Sequence, residues 1–231
     1  MVQVQTFPLE HTPKSHCVHL ALFRNLKNAT FLVDKLRAGD SEYEYALIDA
    51  RSILSTIHIL SSCFQAIARQ VSERLRTRNI HSEIVFGLSP RNNVRNFQLF
   101  SFLIFSSCLT FSGQIATSFS QFGITPQTTD LIVVKIGDVS LYESINSHLN
   151  KAIDGDAVEF TDAALKNVTD WGRVEKLYNL SSSDVKVIAD EKISTLSNQL
   201  KIRELDSRES SKMKEIEILV LGAMALKGST N

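Results

Sequence analysis

The stretch Val18–Gly39, VHLALFRNLKNATFLVDKLRAG, sets the pattern of the whole chain. Its first six residues are apolar apart from one histidine, which predicts a strand over Val18–Phe23. Beyond Asn25 the apolar residues recur every three or four positions, which is typical of a helix with one buried face. Gly39 is expected to end that helix, because glycine is favoured just after the last helical turn. A strand that leads into a helix indicates a fold of both kinds of element.

The rest of the chain repeats this alternation without the regularity of a parallel βαβ fold. Further strands are predicted at Tyr45–Ala50, Ser82–Leu88 and Leu131–Ile136, with a short one at Ala157–Phe160. Helices are predicted at 51–75, Leu141–Ile153, Asp170–Leu180, Asp184–Arg203 and Met213–Leu226. A polar stretch, Glu204–Lys212, is expected to interrupt the last two helices. We therefore predict the α+β class: a single domain over residues 1–231, with a mixed central β-sheet, packed helices and an apolar C-terminal helix.

One long helix has a clear apolar periodicity. Between residues 51 and 75 the apolar side chains recur at threes and fours and predict one buried face, made of Ile53, Ile57, Leu60, Phe64, Ile67, Val71 and Leu75.

Composition excludes several kinds of function. The 231 residues carry 25 Lys+Arg and 25 Asp+Glu, and this neutral balance argues against coating nucleic acid by bulk charge. The three cysteines, Cys17, Cys63 and Cys108, form no CxxC pair, which favours a reducing compartment over a disulfide framework or thiolate zinc site. The chain has no HExxH motif and no glycine-rich phosphate loop, and its first residues do not resemble a signal peptide. No metal or cofactor is expected.

The segment 94–114, VRNFQLFSFLIFSSCLTFSGQ, does not fit the rest of the chain. It holds five of the 13 phenylalanines, yet it is too short and too rich in serine to span a membrane, so no membrane partner is expected. Val94-Arg95 can be encoded by a 5′ splice donor, Leu109-Thr110 by a branch point and Gln114 by a 3′ acceptor. Phe, Leu and Ser codons between them suit a pyrimidine-rich tract, and removing 21 codons keeps the reading frame. The segment is either a translated retained intron or a hydrophobic element packed on the core.

The sequence on both sides of this segment carries a familiar order of motifs. Before the segment come RTR (Arg76–Arg78), SE (Ser82-Glu83), LSP (Leu88–Pro90) and NN (Asn92-Asn93). Beyond it come FGI (Phe122–Ile124) and LIV (Leu131–Val133). Leu20–Ala29, Val174–Leu180 and Ala223–Gly228 extend the match towards both ends of the chain. In this order and spacing the chain resembles the small kinase-binding (PRPK-binding) regulatory subunit of the KEOPS, or EKC, complex, in its fungal form. The insertion after the two asparagines and a long stretch before the last helix, Ser194–Lys212, depart from the family pattern.

The resemblance implies a non-catalytic role. KEOPS makes the threonylcarbamoyl-adenosine modification of tRNA, and the subunit in question binds the small atypical kinase/ATPase of the complex and helps to hold the 3′ CCA end of tRNA. The other KEOPS subunits would be contacted through the kinase. A link to telomere maintenance and transcription, and a location in nucleus and cytoplasm, are further implications.

Two groups of residues are candidates for these contacts. The last helix has a broad apolar arc that either covers its own core or docks into the kinase, made of Ile216, Leu219, Val220, Ala223, Met224 and Leu226. Arg74, Arg76 and Arg78 either lie at a solvated helix end or contact phosphates of tRNA, since a guanidinium can bond phosphate and stack on bases. Asn92 is a candidate for base contacts, whereas Asn93 suits a helix cap.

Two functions of other classes remain open at this stage. The chain could be a small α+β enzyme with a site near Ser89, Asn92 and Arg78, although it shows no nucleophile–base pair. It could also be a structural protein that self-associates through the last helix.

Overall fold

A computed structural model describes residues 4–90, 107–180 and 204–229 of the chain. The strands are β1 (Gln5–Phe7), β2 (Cys17–Arg24), β3 (Ala46–Asp49), β4 (Leu131–Gly137) and β5 (Asp156–Val158). The helices are α1 (Ala29–Ala38), α2 (Thr56–Val71), α3 (Ile80–Leu88), α4 (Ser107–Phe122), α5 (Tyr142–Ala152), α6 (Asp162–Lys166), α7 (Trp171–Leu177) and α8 (Glu204–Ser229). Short 3-10 turns occupy Ser41–Tyr43, Ala50–Ser52 and Val139–Leu141.

The strands form one sheet in the order β1-β2-β4-β3. β2 pairs along its whole length with β4, from Cys17 opposite Gly137 to Phe23 opposite Leu131. On its other edge, β2 pairs with β1 at one end and with β5 at the other. Every described pairing is antiparallel, so the prediction of a mixed sheet is wrong. The α+β class is confirmed.

Helices cover both faces of the sheet, because both faces are apolar. On one face Val18, Leu20 and Leu22 pack with α2, α3 and α8. On the other, Ala21 and Phe23 pack with α1 and α5. This alternation along β2 follows from the two-residue period of a strand and accounts for its nearly continuous apolar sequence.

Two predicted elements differ from the structure. Residues 82–88, predicted as a strand, belong to helix α3, whose cap Asn79 accepts a hydrogen bond at Oδ1 from the Ser82 amide (2.8 Å). The polar stretch 204–212, predicted to break the helical pattern, forms the first turns of α8. The C-terminal helix therefore exists, but only its second half is apolar. The predicted helix Asp184–Arg203 and residues 94–106 of the hydrophobic segment lie outside the described residues.

Candidate functional site

The inner face of α8 packs into the protein's own core. Ile216, Val220 and Met224 are almost fully buried against α2 and α3. The helix is also held by polar contacts: Gln65 Nε2 donates to the Met224 carbonyl (3.3 Å), and Ser55 Oγ donates to Glu217 Oε1. Three of the six residues predicted to bind a kinase thus have their side chains turned away from solvent.

The other three predicted residues of α8 differ in position. Leu219 and Ala223 are half-buried at the border of the same face, and the side chain of Leu226 lies outside the described residues. The outward side of the helix carries Ile218, which is 53% exposed, together with the exposed Gly222 and Ala225.

Helix α2 has a second apolar face that is open to solvent. Ile57, Phe64 and Val71 are 57%, 42% and 57% exposed. They are spaced seven residues apart, so they form a line along the helix, which we call the outer stripe. The prediction that these three side chains are buried is wrong. The helix instead buries Ile59, Cys63 and Ile67 on its other side, and Ile53, just before the helix, is also buried.

The predicted arginines lie between α2 and α3, in what we call the basic loop, Arg74–Arg78. Arg74 and Arg78 are exposed and Arg76 is half-buried. The loop is neither a helix nor a strand, and the buried carboxylate of Glu83 on α3 lies beneath it. Asn92, predicted to contact RNA, lies outside the described residues.

A cleft of about 740 Å³ opens beside the basic loop. It lies between the end of α1, the start of β3, the start of α3 and the end of α4. Arg37 and Arg78 line it with the aromatic side chains of Tyr43 and Phe119. Its volume falls in the range of sites that hold a small ligand or a single nucleotide.

His81 supplies a hydrogen-bond donor in the wall of this cleft. The Ile136 amide donates to His81 Nε2 (3.2 Å), so the ring proton resides on Nδ1. Burial, with a smaller effect of Lys135, lowers the pKa of His81 to about 3, so the ring is neutral at physiological pH. Nδ1 lies 3.9 Å from Glu44 Oε1, and no described group accepts its proton within hydrogen-bond distance.

Two residues of the alternative enzyme site, Arg78 and Ser89, do not come together, and the third, Asn92, lies outside the described residues. Arg78 precedes α3 and Ser89 follows it, which places them about 15 Å apart at 1.5 Å per residue. In the described part of the chain, no group of three His, Cys, Asp or Glu side chains is placed to hold a metal. Within the same ranges, no helix is long and apolar enough to cross a membrane.

Sequence reasoning missed the outer stripe and most of the cleft. The stripe could have been found from its spacing, because α2 has apolar residues on two sides of the helix and only one side can face the sheet. The cleft depends on Arg37, Tyr43, His81 and Phe119, which are distant in sequence and share no motif.

The described residues form an α+β fold with exposed apolar side chains on α2, a basic loop and a cleft, a combination typical of proteins that bind other macromolecules. The chain belongs to the family described as kinase binding protein CGI-121, whose model matches residues 23–101 and 103–228. The two matches are separated at residue 102, inside the hydrophobic segment.

Curated fungal proteins are similar to it over nearly their full length. The chain is 36% identical over 230 residues to the EKC/KEOPS complex subunit cgi121 of Aspergillus fumigatus, covering 98% of each chain. It is 36% identical over 234 residues to the corresponding subunit of Coccidioides immitis, covering 100% of each. The match to the Schizosaccharomyces pombe protein of the same name is 27% over 169 residues, covering 73% of this chain and 85% of that one.

Proposed function

We propose that this protein is a non-catalytic subunit of a KEOPS complex and that it binds the atypical kinase of that complex. The names of its relatives and the description of its family support this role. The observation that carries the proposal is the outer stripe of α2 with Ile218 on the neighbouring helix α8. Three large apolar side chains in one line are open to solvent on α2, and Ile218 is exposed on α8, which packs against α2. Surfaces of this kind mark sites of protein association.

We propose different roles for the residues of the two helices. Phe64, in the middle of the stripe, is the central anchor, because buried aromatic residues near the centre of an interface dominate its binding energy. Leu219 and Ala223 can contribute at the border of the surface, since they are only half-buried. The role of the buried residues is indirect: they hold α8 in place against α2 and α3, and they are Ile216, Val220 and Met224.

Substitution of Phe64 tests this surface. We expect Phe64→Asp to weaken kinase binding roughly 30-fold or more, because it removes a central anchor and leaves a charge to be desolvated. Binding is measured by analytical gel filtration and titration with the KEOPS kinase of the same organism. Val139→Asp is the matched control, since Val139 is 56% exposed and lies on a different part of the fold. Equal loss in both variants, or none in Phe64→Asp, would place the interface elsewhere.

We also propose that the basic loop and the adjoining cleft hold the 3′ CCA end of tRNA, in support of threonylcarbamoyl-adenosine synthesis. Arg74 and Arg78 are exposed and can reach phosphates, while Tyr43 and Phe119 can stack on an unpaired base. The His81 Nδ1–H group can donate, and the Glu44 carboxylate can accept, a hydrogen bond at the edge of a base held in the cleft. A location in nucleus and cytoplasm and a role at telomeres follow from the resemblance alone and belong to this proposal.

Charge reversal in the loop tests the RNA contact. Arg76→Glu with Arg78→Glu should lower tRNA affinity roughly tenfold at low salt and make its dependence on salt shallower, because two phosphate contacts are lost. Kinase binding should not change, because neither Arg76 nor Arg78 belongs to the outer stripe. Unchanged tRNA affinity at a defined salt concentration would count against this loop.

A further inference from the structure

The carboxylate of Glu83 is the centre of a buried hydrogen-bond network. Its side chain has no exposed area, and Oε1 accepts from Arg69 Nη1 at 2.8 Å. Oε2 accepts from three donors of the basic loop: the Arg76 amide (3.0 Å), the Thr77 amide (2.9 Å) and the Thr77 hydroxyl (2.8 Å). A single carboxylate therefore satisfies four donors, and three of them belong to two consecutive loop residues.

These bonds define the shape of a segment that has no regular structure. The first residue of the loop is tied to α2, since the Arg74 amide donates to the Arg69 carbonyl (2.8 Å). Its end lies against the start of α3, where the Asn79 carbonyl is 3.1 Å from Thr77 Oγ1 and competes with Glu83 for the single hydroxyl proton. Between these two points, Glu83 holds the backbone of Arg76 and Thr77. Buried amides need an acceptor, so the loop would have to change shape without this carboxylate.

Arg69 makes the buried carboxylate tolerable. Its side chain is only 12% exposed, and a carboxylate without exposed area is costly unless a cation and several donors compensate it. Arg69 thus stabilises the loop indirectly, through its ion pair with Glu83, whereas Arg74, Arg76 and Arg78 are residues of the loop itself.

We propose that Glu83, paired with Arg69, is the positioning residue of the RNA-binding loop and sets the spacing of its three arginines. This inference rests on the proposed binding of tRNA by that loop. Glu83 does not touch RNA; it acts through the backbone of Arg76 and Thr77.

For neutralisation of Glu83, the proposal predicts a change in tRNA affinity opposite in sign to the change that charge alone would cause. Glu83 is an acidic residue within a basic region, so neutralising it should strengthen the attraction to phosphate if charge alone mattered. If Glu83 positions the loop, neutralising it should weaken binding. The amide of Glu83→Gln would place a donor against Arg69 or against the loop amides, so the network cannot reform completely.

The experiment compares Glu83→Gln with Glu73→Gln. Glu73 is exposed and directly precedes the loop, so its substitution removes the same formal charge without touching the network. We expect Glu83→Gln to lower tRNA affinity at least fivefold. The slope of log affinity against log salt concentration should become shallower by the amount that the loss of about one phosphate contact causes. Glu73→Gln should bind tRNA as the unchanged protein does, or slightly more tightly. Kinase binding should be equal in all three proteins, which shows that the rest of the fold is intact.

A second variant keeps the test decisive if Glu83→Gln does not fold. Thr77→Val retains every charge and nearly the same shape but removes the hydroxyl donor to Glu83, and it should weaken tRNA binding about twofold to threefold. The proposal is overturned if the variant that folds binds tRNA with unchanged or higher affinity and an unchanged salt slope. If Arg76→Glu with Arg78→Glu weakens binding but these variants do not, only the positioning role fails. If the arginine variant has no effect either, the assignment of the loop to tRNA fails with it.

Discussion

At the scale of single residues, two buried histidines, His58 and His81, are held neutral by their surroundings. Leu54 donates its amide to His58 Nδ1 (3.2 Å), so His58 Nε2–H donates to the Tyr178 oxygen (2.9 Å). The Tyr178 hydroxyl in turn donates to the Leu88 carbonyl (2.5 Å). Complete burial lowers the pKa of His58 to about 3 and raises that of Tyr178. This chain of bonds joins α2, α7 and the end of α3 through groups that are neutral at physiological pH.

The pKa values of His58 and His81, both lowered to about 3, predict acid sensitivity. In the unfolded chain these histidines titrate near pH 6.5, so below that pH the unfolded state binds more protons than the folded state. The free energy of unfolding should therefore fall as pH drops from about 6.5 towards 4, by about 1.4 kcal/mol per pH unit for each histidine.

Substitution of His81 gives a direct test of this slope. His81→Gln can keep an acceptor for the Ile136 amide but cannot titrate. The slope of the free energy of unfolding against pH, measured by denaturant unfolding at several pH values, should therefore become shallower by about the contribution of one histidine. His16→Gln, near the surface, is the control. An unchanged slope in His81→Gln would mean that this residue does not drive acid unfolding.

Single residues also show what sequence can and cannot predict. Gly39 was expected to end α1, and it does so in the left-handed region, with φ of 69°. The roles of His81 and Glu83 could not be derived, because their partners Ile136, Arg69 and Thr77 meet them only in the folded chain.

At the scale of elements, α3 shows why a short apolar run is ambiguous. Ile84, Val85 and Phe86 are all buried, and their sequence suits a strand as well as a buried helix. The Asn79 side chain and the packing of α3 against α2 decide in favour of the helix. Asn79, as a possible helix cap, was the feature of the sequence that could have indicated a helix here.

The hydrophobic segment 94–114 leads to a prediction about α4. Among the α4 side chains that the structure describes, from residue 113 onward, those that are buried or packed against the core are Ser118, Phe119 and Phe122, and all three follow residue 114. Deleting 94–114 joins Asn93 to Ile115 and retains them, so the shortened protein should fold and be more soluble and monodisperse, as measured by gel filtration with light scattering. Loss of cooperative unfolding would show that the segment is structural. A spliced transcript that still carries these codons would refute its origin as an intron.

At the scale of the whole molecule, one antiparallel sheet with helices on both faces leaves the outer stripe of α2 exposed and a cleft open beside the basic loop. The strand sequences indicated β2, β3 and β4 well, because each is a short apolar run. The order of the strands and the shared edge of β1 and β5 depend on pairing between distant residues, which a local pattern does not contain. For the same reason, the cleft beside Arg78 became visible only with the packing of α1, α3 and α4.

Calorimetric titration of this protein with the KEOPS kinase of the same organism tests the central claim most directly. We predict sub-micromolar binding with a stoichiometry of one to one and a negative change in heat capacity, because the outer stripe and Ile218 become buried. No measurable binding by the intact chain, under conditions in which both proteins are folded, would contradict the account.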